Sequence, residues 1–201
     1  NALFNNISGN YNTAIGVQAL LNNTTGGMCI AIGNSALQNN NSNNNVAIGH
    51  QAGASITTGK ENCLIGSTAG YMITTGINNV CIGQQSGAGN SSGNSVLGAL
   101  ALVQSGNTGG NNNVFGNLAM YKNTTGANNC VFGRESMYNK TFGDRNISIG
   151  NRSLLNATFC SDNISIGFES MLLNTIGSGN VVIGNYAVPT QTFSNKLWIE
   201  N

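Results

Sequence analysis

The stretch Asn146-Ile147-Ser148-Ile149-Gly150 decides the fold, because it returns along the whole chain. It recurs as Asn163-Ile164-Ser165-Ile166-Gly167 and as Asn180-Val181-Val182-Ile183-Gly184, each copy 17 residues after the last. Towards the N-terminus the closing glycine recurs every 15 to 18 residues, at Gly133, Gly116, Gly98, Gly83, Gly66, Gly49, Gly33 and Gly16. Eleven copies at one period predict a repeat protein, and this evidence outranks local secondary-structure preference.

The composition favours a β-solenoid over a helical repeat. The 201 residues include 37 Asn, 28 Gly and 1 Pro, and 6% of them are charged, against about 25% in a typical soluble domain. Strong helix formers are scarce, and a period near 17 residues is too short for a pair of helices. We therefore expect an all-β fold, a single-stranded parallel β-solenoid (β-roll) of about eleven 17-residue coils, each with two short strands. At about 4.8 Å per coil the rod is roughly 50 Å long.

We number the repeat glycine 0 and count the other residues of each repeat from it. The residue types that precede the glycine alternate as expected for the two faces of a strand. Position −1 is always large and apolar, and position −3 is apolar in eight copies. Because alternate residues of a strand share a face, we expect these two positions to point into the coil. Position −2 carries no charged or amide residue in any copy, so we expect sister chains to cover it. The trimer-interface candidates are Ala14, Ala31, Ala47, Leu64, Cys81, Val96, Val114, Val131, Ser148, Ser165 and Val182.

Position −4 is Asn in ten of the eleven copies, and Cys29 is the exception. Stacked coils bring equivalent amides about 4.8 Å apart, so they can hydrogen-bond from coil to coil. The predicted Asn ladder comprises Asn12, Asn45, Asn62, Asn79, Asn94, Asn112, Asn129, Asn146, Asn163 and Asn180. Position 0 predicts a bend that needs Gly, and the Ala or Ser at position +3 of every copy indicates a close opposite wall. Gly53, Gly70 and Gly87 at position +4 predict a local narrowing of the coil.

Few residues indicate chemistry. The net charge of +1 gives no electrostatic basis for binding nucleic acid, and no apolar run is long enough to insert into a membrane. The cysteines Cys29, Cys63, Cys81, Cys130 and Cys160 have neither zinc-site nor disulfide spacing, and Cys63 and Cys130 fit small buried hydrophobes. His50 is alone and expected to be exposed. We expect no cofactor, no metal and no catalytic residue.

The pattern Asn-x-[Ala/Val/Ser]-Ile-Gly-x-x-[Ala/Ser]-[Leu/Met] resembles the head repeats of trimeric autotransporter adhesins of the YadA type. It is also similar to repeats of bacteriophage and other viral tail fibres. The resemblance covers residues 1 to about 188, and it implies a β-roll in which three chains pack side by side. Adhesin heads usually have a shorter coil, and the Thr-Thr-Gly turns, as at Thr57-Thr58-Gly59, look more like the fibre version.

The two ends of the sequence differ from the repeat. Asn1-Ala2-Leu3 matches the residues that follow other repeat glycines, so the chain begins in mid-repeat and we expect a longer polypeptide. Pro189 is expected to end the solenoid of residues 1–188, and 189–201 to form an exit segment. Asn195-Lys196-Leu197-Trp198-Ile199 is similar to a tail-fibre segment that precedes a C-terminal chaperone domain, which implies that such a domain is cleaved or lies outside this sequence.

These observations predict a structural, adhesive segment of a homotrimeric fibre, in a virion tail fibre or at a cell surface, that projects or forms a receptor-binding region. The partners expected from this interpretation are other copies of the chain and a cell-surface glycan or receptor. One alternative is an ice-binding solenoid, although the turn threonines are interrupted at Asn43, Asn107 and Ser161. A second is a tailspike-like enzyme that cleaves polysaccharide, with Asp144 and Asp162 as a carboxylate pair.

Overall fold

A computed structural model describes residues 1–87, 89–104, 106–187 and 193–200. Within these residues the fold is all-β, with twelve three-residue strands in one parallel sheet whose order follows the sequence. The strands are β1 (Thr13–Ile15), β2 (Ile30–Ile32), β3 (Val46–Ile48), β4 (Cys63–Ile65), β5 (Val80–Ile82), β6 (Ser95–Leu97), β7 (Asn113–Phe115), β8 (Cys130–Phe132), β9 (Ile147–Ile149), β10 (Ile164–Ile166), β11 (Val181–Ile183) and β12 (Leu197–Ile199).

The strands stack in register, so each repeat is one coil of a β-solenoid. Ile147 pairs with Ile164 and Ile164 pairs with Val181, and every other strand pair repeats this correspondence. The predicted fold class and period are confirmed, but the expectation of two strands per coil was wrong. The chain after the glycine takes left-handed backbone angles at alternate residues, such as φ 61° at Gln18 and φ 50° at Leu20. It therefore turns continuously and bonds to the next coil through its backbone, as from Leu20 N–H to Ala36 O (3.0 Å).

The interior of the coil is lined by position −2, which reverses the predicted faces. Ala31, Leu64, Val131 and Val182 are fully buried within the single chain, and Ala14 of the first coil is half-buried. Positions −1 and −3 point outward instead. The set Ala14, Ala31, Ala47, Leu64, Cys81, Val96, Val114, Val131, Ser148, Ser165 and Val182 is thus core, and its members cannot form a trimer interface. Alternation separates two faces of a strand but does not say which one is inside.

Space inside the coil is limited, as the Ala or Ser at position +3 predicts, and all eleven of these residues are buried. The three glycines at position +4 sit beside larger neighbours rather than in a narrowed coil. A Cβ built at Gly53 or Gly70 would lie 2.7 Å from a methyl carbon of Leu64. Ile56 and Ile73 fill the rest of this space, so interior volume is conserved as side-chain size moves from one position to another.

The Asn ladder is confirmed from Asn45 to Asn180 as a continuous line of buried hydrogen bonds, and Cys29 separates it from Asn12, whose Oδ1 accepts from the Cys29 N–H (3.0 Å). Asn62 donates both its backbone N–H (3.0 Å) and its Nδ2 (3.1 Å) to Oδ1 of Asn45. Asn79 makes the same two bonds to Asn62, and the pattern continues to Asn180. Most of these amides also donate to a backbone carbonyl, as from Asn62 Nδ2 to Gly76 O (3.0 Å), whereas Asn94 Nδ2 donates to the Ser91 hydroxyl (2.8 Å). One residue type therefore satisfies four or more buried polar groups per coil.

The repeat glycine is required by two features of its position. Gly150 has φ +135°, and a Cβ there would lie 2.2 Å from the carbonyl oxygen of Gly167 in the next coil. The other repeat glycines have the same geometry, with φ between +129° and +149°. The predicted bend at position 0 is thus a close approach of stacked backbones that no side chain permits.

The C-terminal segment does not leave the stack where we expected. Leu197, Trp198 and Ile199 pair in register with Val181, Val182 and Ile183, and they add a twelfth strand to the sheet. Lys196 N–H donates to Oδ1 of Asn180 (3.1 Å), which extends the ladder by one coil. Val188, Pro189 and the residues to 192 lie outside the described residues, so the predicted end of the repeat at Pro189 stays a prediction.

Removing one rung of the ladder should destabilise the rod. Asn129→Ala deletes a buried amide and leaves the Asn146 N–H and Nδ2 without their shared acceptor at 3.0 Å. We expect a loss of about 2 to 4 kcal/mol, because the buried Asn146 N–H loses its acceptor and the bonds from Asn129 Nδ2 to Asn112 Oδ1 (2.9 Å) and Ala127 O (3.0 Å) are also lost. The measurement is chemical denaturation at fixed protein concentration.

Asn117→Ala is the control for that experiment, since Asn117 is exposed and donates a single bond to Ala99 O (3.0 Å). It should lower the free energy of unfolding by no more than about 1 kcal/mol. Equal losses in the two variants would mean that the ladder has no special role.

Candidate functional site

The outer face of the sheet is the candidate functional surface, and we call it the apolar face. It consists of positions −1 and −3 of the described strands β1 to β11. Large side chains there remain open in the single chain, including Ile15 (59% exposed), Leu97 (46%), Phe132 (40%) and Val80 (39%). No charged residue occurs at either position in β1 to β11. A contiguous exposed apolar surface of this kind marks an interaction site.

Side chains on the apolar face stack along the rod in the same register as the strands. The rings of Phe115 and Phe132 are parallel, with centroids 4.6 Å apart. Polar residues border the face on both sides, such as Asn78 before β5 and Asn117 after β7. Arg145 also lies at this border and forms a two-bond ion pair with Asp162 (2.7 and 2.9 Å). An apolar centre with a polar rim is the usual anatomy of a protein interface.

The cysteines divide between the interior and the apolar face. All five are free thiols, and Cys29, Cys81 and Cys160 are buried. Burial raises the pKa of Cys81 to about 12 and that of Cys160 to about 11, so both stay protonated and unreactive near neutral pH. Cys63 and Cys130 occupy position −3 and are half-exposed on the apolar face. The prediction that these two are buried hydrophobes was therefore wrong.

The two carboxylates considered for catalysis, Asp144 and Asp162, make hydrogen bonds within the fold. The Asp144 carboxylate accepts a hydrogen bond from the Ala127 N–H (2.8 Å). The hydrogen bonds from Arg145 lower the pKa of Asp162, which is the opposite of what a general acid in glycoside hydrolysis needs. His50 is exposed, as predicted.

The remaining sequence candidates give no site within the described residues. No group of three or more His, Cys, Asp or Glu side chains in the described ranges could hold a metal ion. Among the same residues, no helix has the length and apolarity to cross a membrane.

The turn threonines form a longer column than the sequence indicated. Five threonines stack one per coil, and each is hydrogen-bonded to the carbonyl oxygen of the next, through its N–H as from Thr158 to Thr175 O (3.0 Å) or through its hydroxyl as from Thr141 to Thr158 O (3.2 Å); they are Thr108, Thr124, Thr141, Thr158 and Thr175. Asn107 and Ser161 lie in other columns and do not interrupt this one. The next outward column contains Thr125 but then the exposed Phe142, Phe159 and Ile176 instead of a continuous second row of threonines. The flat double row of hydroxyls expected of an ice-binding face is therefore not formed over these coils.

Comparisons with protein-family models, with curated proteins and with solved structures each found no match to this chain.

A lysine inside the coil is a feature that sequence reasoning missed. Lys140 is fully buried at the position where Asn123 and Asn174 stand in other coils. Its Nζ donates to the carbonyl oxygens of Phe142 (2.8 Å) and Cys160 (3.3 Å). Burial lowers its pKa from 10.5 to about 8, although the nearby Cys160 and Asp144 oppose this shift. The missed signal was a lone charged residue in a column whose other members, such as Asn123, Ile73 and Ala157, are neutral and buried.

Lys140 should make stability depend on pH. Because its folded pKa is lowered, the unfolded chain binds more protons between about pH 8 and 10.5. Stability attributable to Lys140 therefore rises with pH through that window, and below pH 8 the full penalty remains. At pH 7.5, Lys140→Asn should raise the free energy of unfolding by on the order of 2 kcal/mol. The variant should therefore unfold at a higher denaturant concentration than the parent chain.

The measurement is the difference in unfolding free energy between Lys140→Asn and the parent chain from pH 7.5 to 10.5. The buried thiols of Cys81 and Cys160 have raised pKa values in the folded chain, so they lower the free energy of unfolding as the pH rises, which is opposite to the effect of Lys140. Both chains contain these thiols, so the difference cancels the contribution of Cys81 and reduces that of Cys160. A difference that does not shrink as the pH rises would show that the amine is not desolvated.

Proposed function

We propose that this chain is a rod segment of a homotrimeric fibre that joins its copies through the apolar face. The single observation that carries the proposal is the run of outward apolar side chains along the sheet, with no charge at positions −1 and −3 of β1 to β11. Exposing such a surface to water is unfavourable by roughly 25 cal/mol for each Å². Association that covers it is therefore favourable.

A second copy of the same chain is the occupant that fits this face best. The face extends over the length of the stacked strands, at about 4.8 Å per coil. A parallel sister rod has the same length and the same spacing, so each exposed row can meet an equivalent row. A repeat surface of this kind is complementary to itself over many coils, whereas an unrelated partner would need to match the spacing separately. The number three rests on the resemblance of the repeat to trimeric adhesin heads and tail fibres.

The proposal gives the chain a mechanical and adhesive role at a virion tail fibre or a cell surface. A parallel solenoid in which each coil is bonded to the next is suited to carry a distal binding region away from a surface. Side-by-side association would stiffen it and remove the exposed apolar rows from water. The exposed turns of each coil would remain outside the trimer and available to a receptor.

A charge placed on the apolar face should separate the chains. Ile149, which is 39% exposed, lies on the face, and Ile149→Glu would put a carboxylate into the proposed interface. We expect the native mass to fall from that of a trimer to that of a monomer. Ile176→Glu is the matched control, because Ile176 is 55% exposed but lies in a turn away from the face. A parent chain that is a monodisperse monomer contradicts the proposal.

The two thiols on the apolar face allow the arrangement of the chains to be measured. A variant that keeps only Cys63 and Cys130, treated with a short bis-maleimide, should link Cys63 to Cys63 and Cys130 to Cys130 of another copy. A variant that keeps only the buried Cys160 is the control and should not link. Links between Cys63 and Cys130 would indicate antiparallel rods instead, because these residues lie in β4 and β8 of the twelve strands.

A further inference from the structure

A groove of about 490 Å³ runs along the rod on a surface separate from the apolar face. Each wall is a column of equivalent residues from successive coils. One wall consists of Lys122, Asn139, Asn156 and Leu173, and the other consists of Thr141, Thr158 and Thr175. The buried column that contains Lys140 and Ala157 lies between the two walls in sequence. The groove therefore has a period of one coil, and it is built within one chain.

The polar side chains of the groove are held in fixed orientations by bonds along the rod. Asn139 Nδ2 donates to Asn156 Oδ1 (2.8 Å), and Asn156 Nδ2 donates to Leu172 O (2.9 Å). Thr141 Oγ1 and Thr158 Oγ1 donate to the carbonyl oxygens of Thr158 (3.2 Å) and Thr175 (3.0 Å). Each hydroxyl uses its only proton in this way and keeps acceptor lone pairs. The groove thus presents acceptors at intervals of about 4.8 Å.

Donor and apolar groups complete the groove. Lys122 lies at one end with its Nζ 5.6 Å from the centre of the Tyr138 ring. Tyr138 stacks in parallel on Tyr121, with ring centres 5.1 Å apart. Leu173, 43% exposed, provides an apolar surface at the other end. A second depression of about 310 Å³ continues past Asn139 and is bordered by Tyr138 and Leu155 among others.

We propose that this groove binds an extended oligosaccharide, with successive sugar units along successive coils. A sugar chain offers hydroxyl donors at regular intervals, together with C–H faces that pack on Tyr and Leu side chains. A peptide would instead add to an exposed strand edge, and the groove walls are side-chain columns. An ice surface requires a flat double row of hydroxyls, whereas here one wall carries Lys, Asn and Leu side chains and the outward neighbours include Phe142 and Phe159.

Saccharide binding would add a ligand to the proposed fibre function. It rests on that function only for the expectation that the saccharide lies on a cell surface. All of its lining residues come from one chain and lie off the apolar face. Saccharide binding by a chain that proves monomeric would therefore support the groove while removing the trimer. A trimer that binds no saccharide would support the proposed fibre and overturn the proposal for the groove.

An equivalent position outside the groove provides a matched control. Thr57 Oγ1 donates to Thr74 O (3.2 Å), as Thr158 Oγ1 does to Thr175 O. The facing column in those coils carries Ser55 and Met72 rather than Asn139 and Asn156. Thr57→Val and Thr158→Val therefore lose the same intramolecular bond, but only Thr158→Val changes the groove.

The experiment screens the purified chain against an immobilised panel of linear glycans and measures the affinity of bound oligosaccharides by calorimetry. Thr158→Val should weaken binding about 3- to 10-fold, which corresponds to one hydrogen bond. Lys122→Met should also weaken it, and Thr57→Val should leave it unchanged. No binding to any glycan, equal affinity of all variants, or thermal hysteresis in place of glycan binding would each overturn the proposal.

Discussion

The structure depends on keeping each coil in register with the next, and the buried Asn ladder imposes that register. A coil of this size has little apolar volume, so its backbone polar groups lie close to the interior and need partners. One Asn per coil meets the need, because its Oδ1 accepts two bonds from the coil above and its Nδ2 donates across its own coil. A slip by one coil would recreate similar bonds, but a slip by one residue would leave several buried donors unpaired.

The ladder also explains how coils of different length coexist in one rod. The bond from Asn94 N–H to Asn79 Oδ1 spans 15 residues, the bond from Asn112 N–H to Asn94 Oδ1 spans 18, and both are 3.0 Å long. Length variation is therefore absorbed by the turns, while the strand and the Asn before it keep their place.

The turns between the strands contain residues with left-handed backbone angles. Leu20 and Met120 have φ 50° and 49°, and Gly70 takes a left-handed φ of 61° at lower cost where Leu64 fills the interior.

The sequence predicted the features that repeat, and it failed where a feature depends on the third dimension. Glycine spacing gave the period, and the Asn at position −4 gave the ladder, because both requirements recur in each coil. The direction of the strand faces was not predictable from alternation. The small residues at position −2, such as Ala31 and Ser148, together with Ala36 and Ser153 at position +3, could have signalled it, since two columns of small residues indicate a thin shared interior. Lys140 was missed because a single charged residue in a repeat column reads as surface variation.

The reversal of the faces moves the proposed association to a different surface. The uncharged character of position −2 is explained within one chain, because those side chains pack against the Ala and Ser of position +3. Positions −1 and −3 are then left with Ile, Val and Phe facing outward and without charge, a pattern that intrachain packing does not require. A solvent-facing column in a chain with 37 Asn residues would readily accept polar side chains. Their scarcity at positions −1 and −3 is the feature that a sister rod accounts for, and it holds whatever the number of chains.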